Sequence, residues 1–120
     1  MNIFLWILQS FIALAFLYSG ISKTIFSEQK LVAIGQTGVA GLPIGVIRFI
    51  GIAELLGIVG IILPLLVNIY PLLTSVSAFC LAFIMPFAMM AHYKRKEYKQ
   101  IAFNLILFTI CIFIGIERLP

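Results

Sequence analysis

The composition of this 120-residue chain is unlike that of a soluble domain, because 63% of its residues are hydrophobic and only 10% are charged. Soluble domains carry about 25% charged residues, so the lipid bilayer is the expected environment. The formal net charge is +4, and half of the basic residues lie in the run Lys94-Arg95-Lys96-Glu97-Tyr98-Lys99. In a membrane protein such a run is typical of a cytoplasmic loop, and no nucleic-acid partner is expected.

Four apolar stretches are each long enough to cross a bilayer, whose hydrocarbon core of about 30 Å needs roughly 20 helical residues. The sequence predicts spans at about 3–22, 43–66, 71–93 and 101–117. Pro43 and Pro71 open the second and third spans, where the missing N–H of proline costs no helical hydrogen bond. The predicted fold is an all-α membrane protein, with residues 1–120 forming one transmembrane domain, an antiparallel four-helix bundle.

The connection between the first two spans differs from the rest of the chain. Its first part is mildly amphipathic and begins with Ser27, a residue type that accepts hydrogen bonds at helix N-termini. Gly35, Gly38 and Gly41 then interrupt regular structure. The sequence therefore predicts a short interfacial helix in this first loop, followed by an irregular segment.

The distribution of basic residues predicts the orientation of the bundle. The first and third loops share one side and contain most of the lysines and arginines: Lys23, Lys30, Lys94, Arg95, Lys96 and Lys99. Arg118 stands alone on the opposite side. The positive-inside rule then predicts a multi-pass protein of the inner (cytoplasmic) membrane, with both long loops in the cytoplasm and both termini extracytoplasmic.

Strongly polar residues inside the spans are informative because each costs about 2.5–3.5 kcal/mol at the centre of a helix in lipid. The candidates for a ligand-binding site or polar cluster are Lys23, Arg48, Glu54, His92 and Asn104. Counted from Pro43 at 1.5 Å per residue, Arg48 lies about 7 Å and Glu54 about 16 Å from the cytoplasmic end. All five candidates therefore fall in the cytoplasmic half, and the outer half is expected to be almost pure hydrocarbon.

Glu54 is the most informative of these residues, because it lies near the midplane. It is about 120° from Arg48 around the helix, so a partner from another helix is expected, either Lys23 or His92. Gly51 and Gly57 flank Glu54 and predict close approach of neighbouring helices. Two interpretations remain open: the polar residues hold the bundle together, or they form a functional site.

The remaining reactive residues carry little signal. Cys80 and Cys111 lie in apolar runs without metal-ligand spacing, so no metal site is predicted. His92 is the single histidine, which excludes bis-histidine haem ligation within one chain. No phosphate-binding loop, nucleophile elbow or paired-carboxylate spacing indicates a soluble-enzyme activity, and whether the protein is an enzyme stays open.

Four ordered motifs resemble those of the DoxX-like membrane proteins. The stretch from Phe16 to Lys23 is similar to the first-helix motif Phe-x-x-Ser/Ala-Gly-x-x-Lys of that family. The stretch from Arg48 to Gly57 resembles its second-helix motif Arg-x-x-Gly-x-x-Glu-x-x-Gly. Met90-Ala91-His92 is similar to the end of its third helix, and Asn104 stands where its fourth helix often carries asparagine.

The resemblance implies a small four-helix membrane protein, in a family whose name comes from subunits associated with quinone-linked thiosulfate oxidation and terminal oxidases. The polar positions that it implies are the five residues already selected by their depth in the membrane: Lys23, Arg48, Glu54, His92 and Asn104. The leading hypothesis is therefore a redox-associated subunit that binds a quinone or similar apolar small molecule in the cytoplasmic half. In this hypothesis Glu54 and His92 hydrogen-bond the carbonyl or hydroxyl groups of the ligand, and Arg48 and Lys23 set the local charge. Redox-complex subunits and a second copy of the chain are the expected protein partners. The alternatives are a non-catalytic scaffold subunit of a membrane complex and a small transporter.

Overall fold

A computed structural model describes residues 2–120, and within them all regular structure is helical. The helices are α1 (Asn2–Ile25), α2 (Glu28–Ala33), α3 (Ile44–Val67), α4 (Leu72–Lys94) and α5 (Tyr98–Glu117), with a 3-10 turn at Thr37–Val39. All but α2 are long and apolar enough to cross a membrane. The predicted four-helix transmembrane bundle is confirmed.

Two helices extend further than the apolar stretches that predicted them. α1 continues past Lys23 to Ile25, and α5 begins at Tyr98, before the apolar run that starts at Ile101. Polar residues end the segment of a helix that can lie in lipid. They do not interrupt the backbone hydrogen bonds, so the helix itself continues. Pro43 and Pro71 stand immediately before α3 and α4, as helix-start residues.

The four long helices form a ring in the order α1, α3, α4, α5. The pairs α4–α5 and α1–α3 are packed along much of their length, α3–α4 less so, and α1–α5 only sparsely. We call the side with the α1–α3 and α4–α5 connections the loop side. We call the opposite side, which carries the α3–α4 turn and the ends of α1 and α5, the terminal side.

The interior of the bundle is apolar and is supplied by every long helix. Ile12 and Phe16 of α1, Ile61 of α3, Leu81 of α4 and Ile114 of α5 are each almost completely buried. Large apolar side chains also cover the outside of the ring, as lipid-facing surfaces require. Because apolar residues lie on both faces, burial and not hydrophobicity distinguishes the core from the lipid-facing surface.

Glycines bring α1 and α3 into backbone contact on the loop side. A Cβ built on Gly51 would lie 2.9 Å from the Gly20 carbonyl oxygen and 2.9 Å from the Lys23 Cβ. A Cβ on Gly20 would lie 3.1 Å from the Gly51 carbonyl oxygen. A Cβ at Gly51 would force the backbones apart, and one at Gly20 would be tightly confined, so the predicted close approach of helices around Glu54 is confirmed.

Residues 28–42, which we call the loop-1 segment, fold over the loop side. Ser27 caps α2 by accepting a hydrogen bond from the Lys30 N–H at 3.2 Å, which confirms the predicted short helix. Gly35 and Gly41 have φ of 95° and 84°, a conformation that glycine adopts without strain. The segment is anchored by a small apolar cluster: Leu31, Val39 and Ile47, with Phe26 and Leu42 packed against them.

Candidate functional site

A cavity of about 900 Å³ lies on the loop side, walled by α1, α3, α4 and α5 and covered by the loop-1 segment. Its lining runs from Lys23 and His92 near the helix ends to Phe16, Met85 and Leu107 deeper in the bundle. This depth is about two helical turns, or roughly 10 Å. The cavity thus occupies one part of the bundle and does not cross it.

A buried ion pair closes one wall of this cavity. Lys23 Nζ lies 2.8 Å from Glu54 Oε1, and the two side chains are 12% and 1% exposed. Ser19 joins them, because its hydroxyl donates to Glu54 Oε1 at 3.2 Å and accepts from Lys23 Nζ at 2.8 Å. Each charge therefore has a partner, as buried charges require.

Arg48 lies behind this pair and outside the cavity lining. Its Nη1 donates to the carbonyl oxygens of Lys23 at 2.9 Å and Phe26 at 2.6 Å. The last carbonyls of a helix have no partner within that helix, so Arg48 satisfies the end of α1. Its contact is with the backbone of Lys23 and not with the carboxylate of Glu54.

His92 belongs to a second polar group, formed where the loop-1 segment meets the α4–α5 connection. The Thr37 hydroxyl donates to Glu97 Oε1 at 2.6 Å. His92 Nδ1 lies 3.1 Å from Glu97 Oε1 and 3.2 Å from Thr37 Oγ1, and Arg95 Nε lies 3.3 Å from the same carboxylate. These contacts connect the loop-1 segment to α4.

Hydrogen bonds from Thr37 and His92, followed by the charges of Arg95 and His92, hold the pKa of Glu97 below its usual range. An ionised carboxylate only accepts hydrogen bonds, so Nδ1 of His92 carries the hydrogen in this arrangement. In the neutral ring Nε2 is then an acceptor. Nε2 lies beside Gly38, where a built Cβ would be 3.3 Å away.

Asn104 lies in α5, is half-buried and lines the same cavity. The hydrogen bonds formed among residues 2–120 include none to its side-chain amide. A polar amide in a membrane-spanning helix is costly unless it finds a partner. The amide therefore has unused donor and acceptor capacity, in a residue that is part of the cavity lining.

The sequence model of the DoxX-like family matches residues 7–114. The chain belongs to the DoxX-like family. No match was found among curated proteins or among solved structures. The resemblance stated from the motifs is thus confirmed over nearly the whole DoxX-like chain.

The predicted polar residues of this DoxX-like protein divide into three groups in the structure. Lys23 and Glu54 pair directly, so Lys23, and not His92, is the partner of Glu54. His92 and Asn104 line the cavity without contacting that pair, and Arg48 lies outside the lining. Within residues 2–120, no group of three or more His, Cys, Asp or Glu side chains is suited to hold a metal ion.

Three participants, Ser19, Thr37 and Glu97, were not predicted as site residues. Ser19 lies inside the first-helix motif, four residues before Lys23. Glu97 carried a signal, because it is the single acid inside a run of basic residues. Thr37 carried none, since a threonine among glycines is common in loops. Its contact with Glu97 depends on how the loop-1 segment folds over α4, which local sequence does not specify.

The expectation that the other half of this DoxX-like bundle is almost pure hydrocarbon was wrong. Gln9 is fully buried there, and its Nε2 donates to the Ile61 carbonyl at 2.9 Å. Arg118 Nε donates to Gln9 Oε1 at 2.7 Å, and its Nη1 donates to Asn2 Oδ1 at 2.7 Å. Gln9 and Asn2 each accept one hydrogen bond from Arg118, whereas its Nη2 is buried without a partner among residues 2–120. The terminal side therefore has its own polar cluster.

Proposed function

We propose that this DoxX-like protein binds a quinone, or a similar apolar small molecule with a polar ring, in the loop-side cavity. The observation that carries the proposal is the half-buried Asn104 amide, which lines a cavity of about 900 Å³ and has no protein partner among residues 2–120. Ligand sites in proteins typically have about 300–1,000 Å³, apolar walls and a few polar groups.

The cavity offers complementary hydrogen-bonding groups to the two redox forms of a quinone. The Asn104 amide N–H donates to a quinone carbonyl, and its oxygen accepts from a quinol hydroxyl. His92 Nε2 accepts from a hydroxyl when Glu97 holds the hydrogen on Nδ1. Ile84, Met85 and Leu107 supply apolar surface around the ring.

The roles of the other polar residues follow from their contacts. Glu54 accepts from both Lys23 and Ser19, so in this proposal it sets the shape and charge of the wall and is not the main hydrogen-bonding partner of the ligand. Arg48 acts indirectly, because it holds the backbone of Lys23. These assignments replace the hypothesis that Glu54 contacts the ligand directly.

The proposed cellular setting follows from the basic residues. The loop side faces the cytoplasm, and both termini lie outside the inner membrane, because the loop-side connections are rich in lysine and arginine. The protein serves as a redox-associated subunit of a larger membrane complex. A homodimer stays a prediction, supported only by the extensive apolar outer surface.

A scaffold role is the second candidate, and the Lys23–Glu54 pair favours it. Lys23 and Glu54 neutralise each other and join α1 to α3, as the charges of a purely structural cluster would. Asn104 supports a binding role beside the structural one, since it joins no such pair. A transporter is the weakest candidate, because the cavity lining lies on the loop side and includes none of Gln9, Arg118 and Asn2, the polar cluster of the terminal side.

Quinone titration of the purified protein in lipid nanodiscs tests the proposal. Asn104→Leu removes the amide and should weaken binding by about two- to thirteenfold, the loss expected for about 0.5–1.5 kcal/mol of hydrogen bonding. Thr109→Val is the matched control, because Thr109 lies on α5, is exposed and bonds only the Leu105 carbonyl. Absence of quinone binding to the wild-type protein would refute the proposal.

A further inference from the structure

On the loop-side half, the seam between α1 and α5 borders the cavity, and these two helices are the least closely packed neighbours in the ring. On the terminal side these helices are joined, since the rings of Phe4 and Phe113 lie 6.1 Å apart and Arg118 bonds Gln9. On the loop side both helices contribute to the cavity lining: Ala15, Tyr18 and Ser19 from α1, and Phe103, Asn104 and Leu107 from α5.

Two aromatic residues mark this seam. Tyr18 is 57% exposed and Phe103 is 49% exposed, and both line the cavity. Phe87 and Met90 of α4 also line it and are exposed, but α4 packs more closely against both of its neighbours than α1 packs against α5. A side chain that is exposed on a membrane-spanning helix and also lines a cavity lies at the boundary between that cavity and the lipid. The two rings therefore flank the route from the bilayer to the interior.

The route from water is much less suitable for an apolar molecule. The loop-1 segment covers the loop-side end of the cavity and is tied to Glu97 through Thr37. Lys94 and Lys99 also line that end, and an apolar molecule passing them would gain nothing from their charges. The seam, by contrast, presents apolar and aromatic side chains.

We propose that the ligand enters from the bilayer through the α1–α5 seam, and that it is an amphiphile with a polar head near Asn104 and an apolar chain between Tyr18 and Phe103. This inference rests on the proposed function and names the ligand class of the same site. It excludes water-soluble metabolites without an apolar chain.

Fluorescence quenching by phospholipids with brominated acyl chains tests the seam without any quinone. Trp6 is the single tryptophan, so the Trp6→Phe variant has no tryptophan fluorescence of its own. In that background Phe16→Trp places a reporter at a buried position of the cavity lining, and Ile106→Trp places one on the lipid-facing surface of α5. If the seam admits acyl chains, both reporters lose fluorescence to a similar extent. Leu107→Trp is the second cavity reporter if Phe16→Trp does not fold.

Blocking the seam supplies the decisive comparison. Ala15→Phe adds a ring between α1 and α5 and should abolish most of the quenching of the cavity reporter. Ala102→Phe is the matched control, because Ala102 is exposed on α5 and does not line the cavity. A cavity reporter that bromine does not quench, or whose quenching Ala15→Phe leaves unchanged, overturns the inference.

Quinones with and without an isoprenoid chain then separate this inference from the proposed function. The chain-bearing quinone should bind more tightly than the chainless analogue, and Ala15→Phe should reduce that preference. Quenching through the seam without any quinone binding refutes the proposed function and leaves the bilayer entrance in place. Equal binding of both quinones, with no effect of Ala15→Phe, refutes the entrance alone.

Discussion

Lys23 Nζ and Glu54 Oε1 lie 2.8 Å apart across the α1–α3 contact, with both side chains largely removed from solvent. The glycines at 20 and 51 bring the two helices close enough for this distance. A Cβ at Gly51 would collide with the α1 backbone, and one at Gly20 would lie in tight contact with the Gly51 carbonyl oxygen. The charged pair and the glycine contact are therefore one structural unit, and changes in either should affect the stability of the α1–α3 packing.

Removing one member of the pair should destabilise the protein strongly. Glu54→Leu leaves the Lys23 ammonium buried without its anion, and we expect a loss of about 3–5 kcal/mol. The double variant Lys23→Met/Glu54→Leu should recover most of that loss, because no unpaired charge remains. The free energy of unfolding of these variants is measured in mixed micelles with increasing SDS. If the losses from the two single substitutions simply add in the double variant, direct pairing is contradicted.

Gly51→Ala should separate α1 from α3. The added methyl group meets backbone atoms of Gly20 and Lys23, which cannot rotate away as a side chain does, and overpacking of this kind costs about 1–3 kcal/mol. Gly45→Ala is the control on the same helix, because a Cβ there meets nothing within 4 Å. Equal stability of the two variants in the same SDS titration would show that the helices are not in contact at Gly51.

Arg48→Met should loosen the loop-side end of α1. Hydrogen bonds from charged donors contribute about 1.5–3 kcal/mol, and this substitution leaves the carbonyls of Lys23 and Phe26 without their donor. Arg48→Lys should preserve part of the stabilisation, because its ammonium group is still a charged hydrogen-bond donor. Hydrogen exchange of residues 20–26 measures the change, and unchanged protection in Arg48→Met would argue against this role.

Thr37→Val should release the loop-1 segment from α4. The valine keeps the shape of threonine and removes the hydroxyl that donates to Glu97 at 2.6 Å. We expect faster hydrogen exchange in residues 28–42 with little change in α3, because local opening reports local contacts. Thr24→Val is the control, since the Thr24 hydroxyl bonds only the Ile21 carbonyl nearby.

The same contact should depend on pH in a defined direction. Because the pKa of Glu97 is lowered in the folded protein, its stabilising effect is complete above the ordinary glutamate value of about 4.3 and is lost as pH falls through the lower folded value. Exchange in residues 28–42, corrected for intrinsic rates, should therefore be constant from about pH 5 to 7 and rise only in more acidic solution. His92 and Arg95 are the charged neighbours that this carboxylate faces. Glu97→Gln should remove the dependence.

The spans and the family could be predicted because they depend on properties carried by single residues and their spacing. Apolar length identified four helices, and the spacing of Arg48, Gly51, Glu54 and Gly57 identified the second motif of the DoxX-like family. The angle of about 120° between Glu54 and Arg48 around the helix also predicted a partner for Glu54 from another helix. Choosing Lys23 over His92 required the rotation of α1 against α3, which the Gly20–Gly51 contact determines.

The polar cluster on the terminal side and the Thr37–Glu97 contact could not be predicted in the same way. Gln9 is a mildly polar residue in an apolar run, and its burial follows from which face of α1 turns inward. Arg118 follows the last turn of α5 and reaches Gln9 only because α1 and α5 meet there. These contacts join residues far apart in the chain, so no local pattern indicates them.

The most direct measurement of the central claim is an experimental structure of the protein in nanodiscs supplied with a long-chain quinone. We expect a flat ring in the cavity, with one ring oxygen within hydrogen-bonding distance of the Asn104 amide and the chain leaving between Tyr18 and Phe103. The Lys23–Glu54 pair should remain intact beside it. A cavity that contains only ordered water or acyl chains, with quinone at saturating concentration, would contradict the account.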